Sequence, residues 1–279
     1  MALSILNNIP SLVAENQLNS TQANLQTTLY QLASGSRLNS GADDAAGLSI
    51  ANSLQANITA LTQSQQNAND GIGQLQVADG ALSQVTTLLN RAVTLATEAA
   101  TGTVNGDQAT ALNTEFTSIK TEINSIGTDT TFNGTSVFTA TASSIFMSDA
   151  SSTAANNTIA TTTGVLSSTK IGGNTVAFGN DDLTSTGNAT TALQDINTAI
   201  AAVASLRGTV GANINQLQSA SNVMSTQVQN LTSAEDGITA ADVASDVSNM
   251  SKYNILEQTG MAALAQANSS QQAVLKLLQ

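Results

Sequence analysis

Three short motifs contain residues that could bind a metal ion or a phosphate group. Asp43-Asp44 and Asp181-Asp182 are adjacent carboxylates, the donor type that Mg²⁺ and Ca²⁺ prefer. Gly71-Ile72-Gly73 has the glycine spacing of a phosphate-binding loop. However, no further ligands are spaced around the acidic pairs, and the glycines lie within a helical heptad pattern without a preceding strand. We therefore expect the first acidic pair to cap a helix N-terminus and the glycines to serve local packing.

The composition excludes most kinds of catalytic and cofactor site. The chain contains no Cys and no His, so it lacks thiol nucleophiles, disulfides, imidazole bases and the ligands of most transition-metal sites. Its net charge is −12 and its basic residues are scattered singly, which argues against nucleic-acid binding. These residues are Arg37, Arg91, Lys120, Lys170, Arg207, Lys252 and Lys276. We predict no catalytic residue, no metal and no cofactor, and hence a protein that is not an enzyme.

The beginning of the chain has no conventional export signal. Residues 1–10 show neither the basic start nor the continuous apolar run of a secretory signal peptide. No segment of the sequence approaches the ~20 apolar residues that a membrane-spanning helix needs. We expect no membrane insertion and no export by the general secretory route.

Both ends of the chain carry apolar residues at helical spacing. Pro10 is the single proline, so nothing from Ser11 onward forbids long helices. Leucines recur every seven residues near the start, and a second apolar stripe follows residues 243–278. Such stripes need a partner surface, and we predict that the two ends pack against each other and against copies of the chain. The predicted contact residues are Leu18, Leu25, Leu32, Val243, Val247, Met250, Leu256, Leu264, Leu275 and Leu278.

Three further segments repeat apolar residues at helical spacing and predict a bundle. They cover residues 51–100, 109–126 and 193–231, and the second is expected to fold back on the first. The predicted seam consists of Leu54, Leu61, Leu75, Leu82, Leu89, Ile196, Val203, Val210, Leu217, Met224 and Leu231. Its companion row on the first of these helices includes Ile58, Ile72 and Val93. We expect Asp107 to cap the second helix and Gly237 to end the third.

The middle of the chain is rich in Thr, Ser, Asn and Gly. Turn signals such as Asn133-Gly134 and Gly172-Gly173 predict β-hairpins and loops over residues 132–186. The whole pattern predicts a mainly α fold, in which the N- and C-terminal parts form a long antiparallel helical bundle or coiled coil, with a small β-hairpin region in the middle. The expected parts are terminal helices at 1–42 and 236–279 and a bundle at 43–131 and 187–235.

Two longer motifs lie at opposite ends of the chain. Residues 32–48, LASGSRLNSGADDAAGL, closely resemble the signature near the N-terminus of bacterial flagellins. VSNMS at 247–251, ILEQTG at 255–260 and LAQAN at 264–268 are similar to the C-terminal signature of that family. The resemblance covers both helical ends, whereas the middle segment has no counterpart.

The resemblance implies a structural subunit of the extracellular flagellar filament. In that family the terminal helices form an inner tube and the bundle forms an outer tube, and the short middle segment indicates a minimal flagellin. The resemblance also implies a homopolymer of many subunits and export of the unfolded chain through the flagellar type III apparatus. Expected partners are a flagellar export chaperone, the filament cap and the hook-associated proteins.

The resemblance further implies two kinds of surface site. Vertebrate innate immunity recognises many flagellins, and Arg91, Leu95 and Glu115 match the recognised surface, although Thr94 stands where an acidic residue is typical. O-linked sugars are expected on the middle segment. Their candidate positions are Ser143, Ser144, Ser151 and Ser152.

The terminal helices are expected to depend on assembly for their order. The apolar area that one such helix buries alone does not offset the conformational entropy lost when it folds. We therefore predict that both ends are mobile in the monomer and fold when subunits meet. A repeated contact that does not close on itself produces a helical filament.

Two alternative functions stay open from the sequence. A hook–filament junction protein shares the helical ends but typically has Pro where this chain has Ala45. An extracellular adhesin would use residues 132–186 as its binding surface. Some flagellins carry a zinc peptidase insert, but its motif needs two His, and this chain has none.

Overall fold

The computed structural model describes residues 8–148 and 158–276, with side chains up to residue 273. Its five helices are α1 (Ile9–Ser34), α2 (Ala45–Ala99), α3 (Gly106–Asp129), α4 (Thr186–Thr239) and α5 (Val243–Lys276). Small antiparallel sheets lie between α3 and α4, which confirms the predicted mainly α fold with a small β region in the middle. The chain divides into a terminal unit, Met1–Ala56 with Asn230–Gln279, and a central unit, Asn57–Gln229.

The predicted bundle seam is largely buried. In the central unit the buried members are Leu61, Leu75, Leu82, Leu89, Ile196, Val203, Val210, Leu217 and Met224. Leu54 and Leu231 belong to the terminal unit and are partly exposed. The apolar heptads therefore mark the buried face of α2 and α4 within the central unit, as expected when leucine and β-branched residues recur on one helix face.

A second buried row on α2 consists mostly of small residues. Its members lie at seven-residue spacing and are Ser64, Gly71, Ala78, Val85, Ala92 and Ala99. The expected companion row is only half-buried at Ile58, Ile72 and Val93. Small side chains allow neighbouring backbones to approach closely, so this face is buried by close contact and not by bulky side chains.

Helix α3 begins at a capping box. The side chain of Asn105 accepts a hydrogen bond from the backbone N–H of Gln108, and the side chain of Gln108 accepts one from the backbone N–H of Asn105. The expectation that Asp107 caps this helix is therefore wrong, because Asp107 lies within the first turn. Phe116 of α3 is fully buried and contacts the ring of Phe178 edge to face, with ring centroids 5.3 Å apart.

The segment between α3 and α4 forms three small antiparallel sheets. The first pairs β1 (Thr131–Phe132) with β2 (Thr135–Ser136), and the second pairs β3 (Ser143–Phe146) with β4 (Thr158–Thr161). The third contains β5 (Val165–Leu166), β6 (Lys170–Gly172) and β7 (Asn174–Thr175). Asn133 and Gly134 join β1 to β2 with φ values of 50° and 76°. Positive φ at both residues is what a tight two-residue hairpin requires.

The two carboxylates of the acidic pair Asp43-Asp44 have different structural roles, one in a turn and one at a helix N-terminus. Asp44 Oδ1 accepts hydrogen bonds from the backbone N–H groups of Ala46 and Gly47, so Asp44 caps α2. Asp43 instead accepts bonds from the N–H groups of Ser40 and Asn39, and these bonds lower its pKa. The N-terminal cap was therefore predicted correctly for the second carboxylate of the pair.

Asp182 and Gly71 also have local structural roles. The carboxylate of Asp182, in the turn before α4, accepts hydrogen bonds from Thr184 in that turn and from Asn188 in the first turn of α4. Gly71 is buried against Ile145, and a Cβ at this position would clash with the end of the Ile145 side chain. Close packing of β3 on α2 is thus the structural reason for this glycine.

The terminal helices are separated from α2 and α4 by short connections. Helix α1 ends at Gly35, whose φ of 68° is the left-handed conformation that glycine adopts without strain. The expectation that Gly237 ends the third bundle helix is wrong, because α4 continues through it to Thr239 and α5 begins at Val243. One glycine in a helix costs only about 1 kcal/mol, which the rest of a 54-residue helix offsets.

Candidate assembly surface on the terminal helices

Helices α1 and α5 pack against each other in antiparallel orientation. The less exposed positions of α1 alternate in steps of three and four: Ser11, Ala14, Leu18, Thr21, Leu25, Thr28 and Leu32. Those of α5 do the same: Asp246, Met250, Tyr253, Glu257, Gly260, Leu264, Ala267 and Gln271. This is the spacing of a coiled-coil seam. We call these positions the terminal seam.

The terminal seam is narrow and partly polar. Thr21 and Thr28 are its most buried members, and their hydroxyls donate to the carbonyl oxygens of Gln17 and Asn24 at 2.8 and 3.0 Å. At Gly260 of α5 a Cβ would be in ordinary van der Waals contact with Leu18 of α1, so this glycine leaves one seam contact unmade. Such small contacts bury little apolar area, so the pair gains less from packing than a leucine-rich coiled coil does.

Polar side chains join α1 and α5 along the edge of the seam. Ser11 Oγ donates to Asn268 Oδ1 at 3.1 Å, and Gln22 Nε2 donates to Glu257 Oε1 at 3.2 Å. Asn8 Nδ2 donates to the carbonyl oxygen of Ala267 at 3.4 Å. These bonds are exposed or half-buried and each adds only about 1 kcal/mol or less.

Large apolar side chains lie outside the seam on both terminal helices. They are Ile9, Leu12, Val13, Leu29, Tyr30, Val243, Val247, Ile255, Leu256 and Met261, and all are exposed. We call them the outer apolar residues. Tyr30 reaches 70% exposure and Val13 62%. Apolar side chains grouped on a surface in this way are typical of protein interaction sites.

The sequence-predicted contact residues fall into three groups. Leu18, Leu25, Leu32, Met250 and Leu264 are half-buried in the terminal seam. Val243, Val247 and Leu256 belong to the outer apolar residues. The side chain of Leu275 and the whole of Leu278 lie outside the described residues. An assembly role for all ten residues stays a prediction.

Several outer apolar residues were not among the predicted contacts. Leu12, Val13, Tyr30, Ile255 and Met261 lie away from the heptad rows that indicated the stripes. A search for large apolar side chains on the face opposite the heptad row would have found them. A helix with apolar residues on two faces needs more than one partner surface.

The predicted immune-receptor residues lie in the central unit and only two of them are exposed. Arg91 and Glu115 form a bidentate ion pair, with N–O distances of 2.7 and 2.9 Å. The hydrogen bonds between them favour the charged form of both groups. They raise the pKa of Arg91 and lower the pKa of Glu115. Leu95 is fully buried in the same core cluster as Phe116, so it is not part of an exposed surface here.

The predicted sugar-acceptor serines are described only in part. Ser143 and Ser144 lie on β3, where Ser143 is half-buried and Ser144 is exposed. Ser151 and Ser152 lie outside the described residues. Of the two serines that the structure describes, Ser144 is therefore the exposed one.

Residues 8–148 and 158–276 contain no candidate metal site and no candidate membrane-spanning helix. In this part of the chain no group of three or more Asp or Glu side chains is arranged to hold a metal ion. None of the described helices combines the length and apolar character that crossing a bilayer requires.

Both helical ends of the chain are similar to known protein families. A family model described as "Bacterial flagellin N-terminal helical region" matches residues 5–143, and one described as "Bacterial flagellin C-terminal helical region" matches residues 193–278. A flagellin of Halalkalibacterium halodurans is 33% identical over 98% of this chain and 99% of its own length. The chain belongs to the bacterial flagellin family. The resemblance seen in the two terminal motifs is thereby confirmed.

Two other flagellins, one of them known as a crystal structure, also match this chain. A flagellin of Bacillus subtilis strain 168 is 32% identical over 99% of this chain and the whole of its own length. The crystal structure of Bacillus cereus flagellin is 27% identical and covers 61% of this chain and 94% of that one, with a TM-score of 0.48. No observation favours the junction protein or the adhesin as an alternative to flagellin.

Proposed function

We propose that this flagellin-family chain is the structural subunit of an extracellular bacterial flagellar filament for swimming motility, and that its terminal helices form the contacts between subunits. The observation that supports the site is the set of outer apolar residues, which remain exposed after α1 and α5 have packed on each other. Burying one large aliphatic or aromatic side chain contributes about 1.5–3 kcal/mol. Neighbouring copies of the same helices would supply the missing cover.

The proposal assigns the parts of the chain to two layers of the filament. Residues 1–42 and 236–279 form the inner tube, and residues 43–131 and 187–235 form the helical bundle of the outer tube. Residues 132–186 remain a small β segment beside the bundle. The subunit is delivered unfolded by the flagellar export apparatus, where a chaperone, the filament cap and hook-associated proteins are its partners.

The terminal pair is proposed to be mobile in the monomer and ordered in the filament. Its seam is partly polar at Thr21, Thr28 and Gly260, its leucines are only half-buried, and ten large apolar side chains of the two helices lie exposed outside the seam. Hydrogen exchange on dilute monomer should show amides of α1 and α5 exchanging at least ~100-fold faster than those of buried α2. Equal protection in both regions would contradict this part of the proposal.

Polymerisation of paired variants tests the assembly surface. Leu12→Ser with Val13→Ser on α1, and Ile255→Ser with Leu256→Ser on α5, each remove two outer apolar side chains. We expect both variants to remain monomeric at concentrations where the unsubstituted chain forms fibres that sediment and are visible by electron microscopy. The matched control is Val223→Ser in the central unit, because Val223 is also exposed, at 55%.

The control separates the site from the function. If Val223→Ser prevents polymerisation as strongly as the terminal variants, the contacts do not lie specifically on the terminal helices. If the unsubstituted chain forms no fibres with or without preformed seeds, the filament proposal itself is wrong. Circular dichroism of every variant would show whether the bundle remains folded.

Recognition by an innate immune receptor remains a proposal for the surface around Arg91 and Glu115. Their exposed ion pair offers both charges to a partner, whereas Leu95 would have to move to make contact. A receptor reporter assay with purified monomer, compared with the Arg91→Ala variant, tests this. A silent assay with the unsubstituted monomer would remove the proposal.

O-linked sugar on the middle segment is a proposal with its own test. Ser144 is exposed on β3, and a bulky sugar at an exposed hydroxyl meets no buried neighbour. Intact mass of protein taken from cells, followed by peptide mapping of residues 132–186, should reveal a mass increase. Unmodified mass would contradict it.

A further inference from the structure

The two connections that flank the terminal helices are hydrogen-bonded to each other. The backbone N–H of Arg37 donates to the carbonyl of Thr239 at 2.7 Å, and the N–H of Ala241 donates to the carbonyl of Gly35 at 3.1 Å. These bonds make Ser36 and Ala240 an antiparallel bridge pair. We call residues 35–37 and 238–241 the clasp. It lies wholly within the terminal unit.

Side chains of residues 31–37 add hydrogen bonds to the clasp. The guanidinium Nη2 of Arg37 donates to the carbonyl of Ile238 at 2.8 Å, in the last turn of α4. That carbonyl lies at the negative end of a long helix, where a cation is favoured. Ser36 Oγ lies 3.2 Å from the carbonyl of Thr239, and Gln31 of α1 donates to the carbonyl of Arg37 at 2.9 Å.

The position of the clasp makes a hairpin of two helices that are distant in sequence. Helix α1 ends just before it and α5 begins just after it, so both helices leave the clasp side by side. Without the clasp, the C-terminal end of α1 and the N-terminal end of α5 are connected along the chain only through the long segment between residues 35 and 241. Bringing distant segments together costs more chain entropy than closing a short loop.

The apolar repeat of α1 defines the register of α1 against α5 poorly, and only a few exposed or half-buried hydrogen bonds along the seam add to it. Leu18, Leu25 and Leu32 are seven residues apart, so a shift by one heptad would still place a leucine at each of the first positions. Repeating seams of this kind rely on a specific feature to select one register. The clasp supplies a unique pairing, because Ser36 and Ala240 do not belong to the repeat.

We propose that the clasp fixes the register of α1 against α5 and makes these two helices gain and lose order as one unit. The consequence for assembly, a single ordered pair presented to the neighbouring subunit, rests on the proposed function. The coupling of the two helices does not, because it is a property of the monomer and is measured there.

A disulfide across the bridge pair tests the coupling directly. Ser36 and Ala240 form the non-hydrogen-bonded type of antiparallel pair, whose Cα atoms lie about 4.5 Å apart, within the range of about 4.4–6.8 Å that a disulfide spans. The chain has no Cys, so Ser36→Cys with Ala240→Cys forms one intramolecular bridge. In the oxidised monomer we expect amide protection to rise along the whole of α1 and α5 by a similar factor, about ten-fold or more.

The same protein after reduction is the matched control, and its protection should fall to that of the unsubstituted chain or slightly below it, because Ser36→Cys removes the bond from Ser36 Oγ to Thr239. A rise confined to the residues beside the disulfide, or to one of the two helices, would overturn the proposal. A shift of α1 contacts by seven residues in the unsubstituted chain, seen by cross-linking, would do the same.

Substitution of Arg37 tests the natural clasp without a new bond. Arg37→Ala removes the bond to Ile238 and should lower protection in α1 and α5 together, by about five-fold. Arg91→Ala, which removes an exposed Arg of the central unit, should leave both helices unchanged. If Arg37→Ala disturbs the bundle by circular dichroism, Arg37→Lys keeps the cation and gives the smaller effect in both helices. No change in either helix with Arg37→Ala would contradict the proposal.

Failure of this proposal is distinguishable from failure of the proposed function. Exchange is measured on monomer, and its outcome stands whether or not fibres form. Independent exchange of α1 and α5 in a chain that still polymerises would refute the coupling and leave the filament subunit intact.

Discussion

The central unit and the terminal helices use apolar residues in opposite ways. In the central unit Phe116, Phe178, Leu75 and Ile196 are fully buried. In the described parts of α1 and α5 the only buried residues are Thr21 and Thr28, while Leu12 and Tyr30 are exposed. Both regions are long regular helices, so helix formation itself does not decide where apolar side chains go.

The contrast shows that the two regions obtain their stability from different sources. Most large apolar side chains of the central unit are buried within one chain, so its folding free energy belongs to the monomer. The terminal helices leave many large apolar side chains exposed, so we expect their stability to depend on concentration and on neighbouring subunits. Substitutions that affect one kind of stability and not the other can test this difference.

The largest expected effect on the free energy of unfolding comes from removing a large side chain from the core of the central unit. Phe116→Ala removes a fully buried ring that contacts Phe178, and we expect it to lower the free energy of unfolding by about 3–5 kcal/mol. Tyr30→Ala removes a ring that is 70% exposed and should change monomer stability by no more than about 0.5 kcal/mol. Urea unfolding of both monomers, followed by circular dichroism, measures the difference. Similar losses in both variants would break the comparison between the regions.

Two glycines of α2 should respond to alanine with opposite signs. Gly71→Ala places a methyl group against Ile145 and Leu217 and should destabilise the central unit by about 1–3 kcal/mol through overpacking. Gly80 has open space around it, so Gly80→Ala should stabilise the helix by about 1 kcal/mol. Urea midpoints of the two variants measure this prediction. Two changes of the same sign would show that the packing of β3 on α2 is looser than described.

A half-buried carboxyl, that of Asp181, should make the central unit more stable at mildly acidic pH. Burial, and then the carboxylate of Asp195, raise the pKa of Asp181 from 3.8 to about 6. Because the folded state holds this proton more tightly than the unfolded chain, the contribution to stability is complete below pH 3.8 and is lost as pH rises through about 6. Asp181→Asn should therefore raise stability at neutral pH by about 1 kcal/mol, since solvent reaches part of the group and screens it.

The neighbouring carboxylate gives the control for this pH effect. Hydrogen bonds from Thr184 and then Asn188 lower the pKa of Asp182, so this charge stabilises the folded state at neutral pH. Asp182→Asn should lower the urea midpoint there, opposite to Asp181→Asn. A pH profile of unfolding that Asp181→Asn leaves unchanged would show that Asp181 is not the titrating group.

The smallest expected effect belongs to the exposed ion pairs. Arg91 with Glu115 and Arg207 with Asp79 are both bidentate, yet their side chains are 39–52% exposed. For Arg207 with Asp79, a double-mutant cycle with Ala at both positions should give a coupling energy of about 0.2–1 kcal/mol that decreases with added salt, and the coupling of Arg91 with Glu115 should show the same dependence on salt. A coupling above this range would mean that surface charges, and not only the apolar core, set the stability of the central unit.

The sequence predicted the helices and the main buried rows because leucine, isoleucine and valine repeat there against polar neighbours. It did not predict the second row of α2, since Ser64, Gly71 and Ala92 give little contrast in hydrophobicity. Nor did it distinguish Asn105 from Asp107 as the cap of α3, because both residues suit an N-cap and only the partner Gln108 decides. Burial by close approach and by reciprocal hydrogen bonds depends on three-dimensional neighbours.

The candidate surface was predicted in position but not in detail. The apolar stripes located two helices that pack together, and five of the predicted contact residues, four leucines and Met250, lie in the seam that joins α1 to α5. The more exposed side chains, such as Leu12 and Ile255, do not follow a repeat. A side chain without a periodic neighbour gives no sequence signal that distinguishes an interface from ordinary surface.

The aromatic residues divide between the two regions in a way that gives the chain a built-in optical reporter. Its only tyrosines are Tyr30 of α1 and Tyr253 of α5, and it has no Trp. All tyrosine fluorescence therefore originates from the terminal helices, while the central unit contributes none. The unlabelled protein can thus be followed by its own emission as its ends become covered, without a dye and without a signal from the bundle.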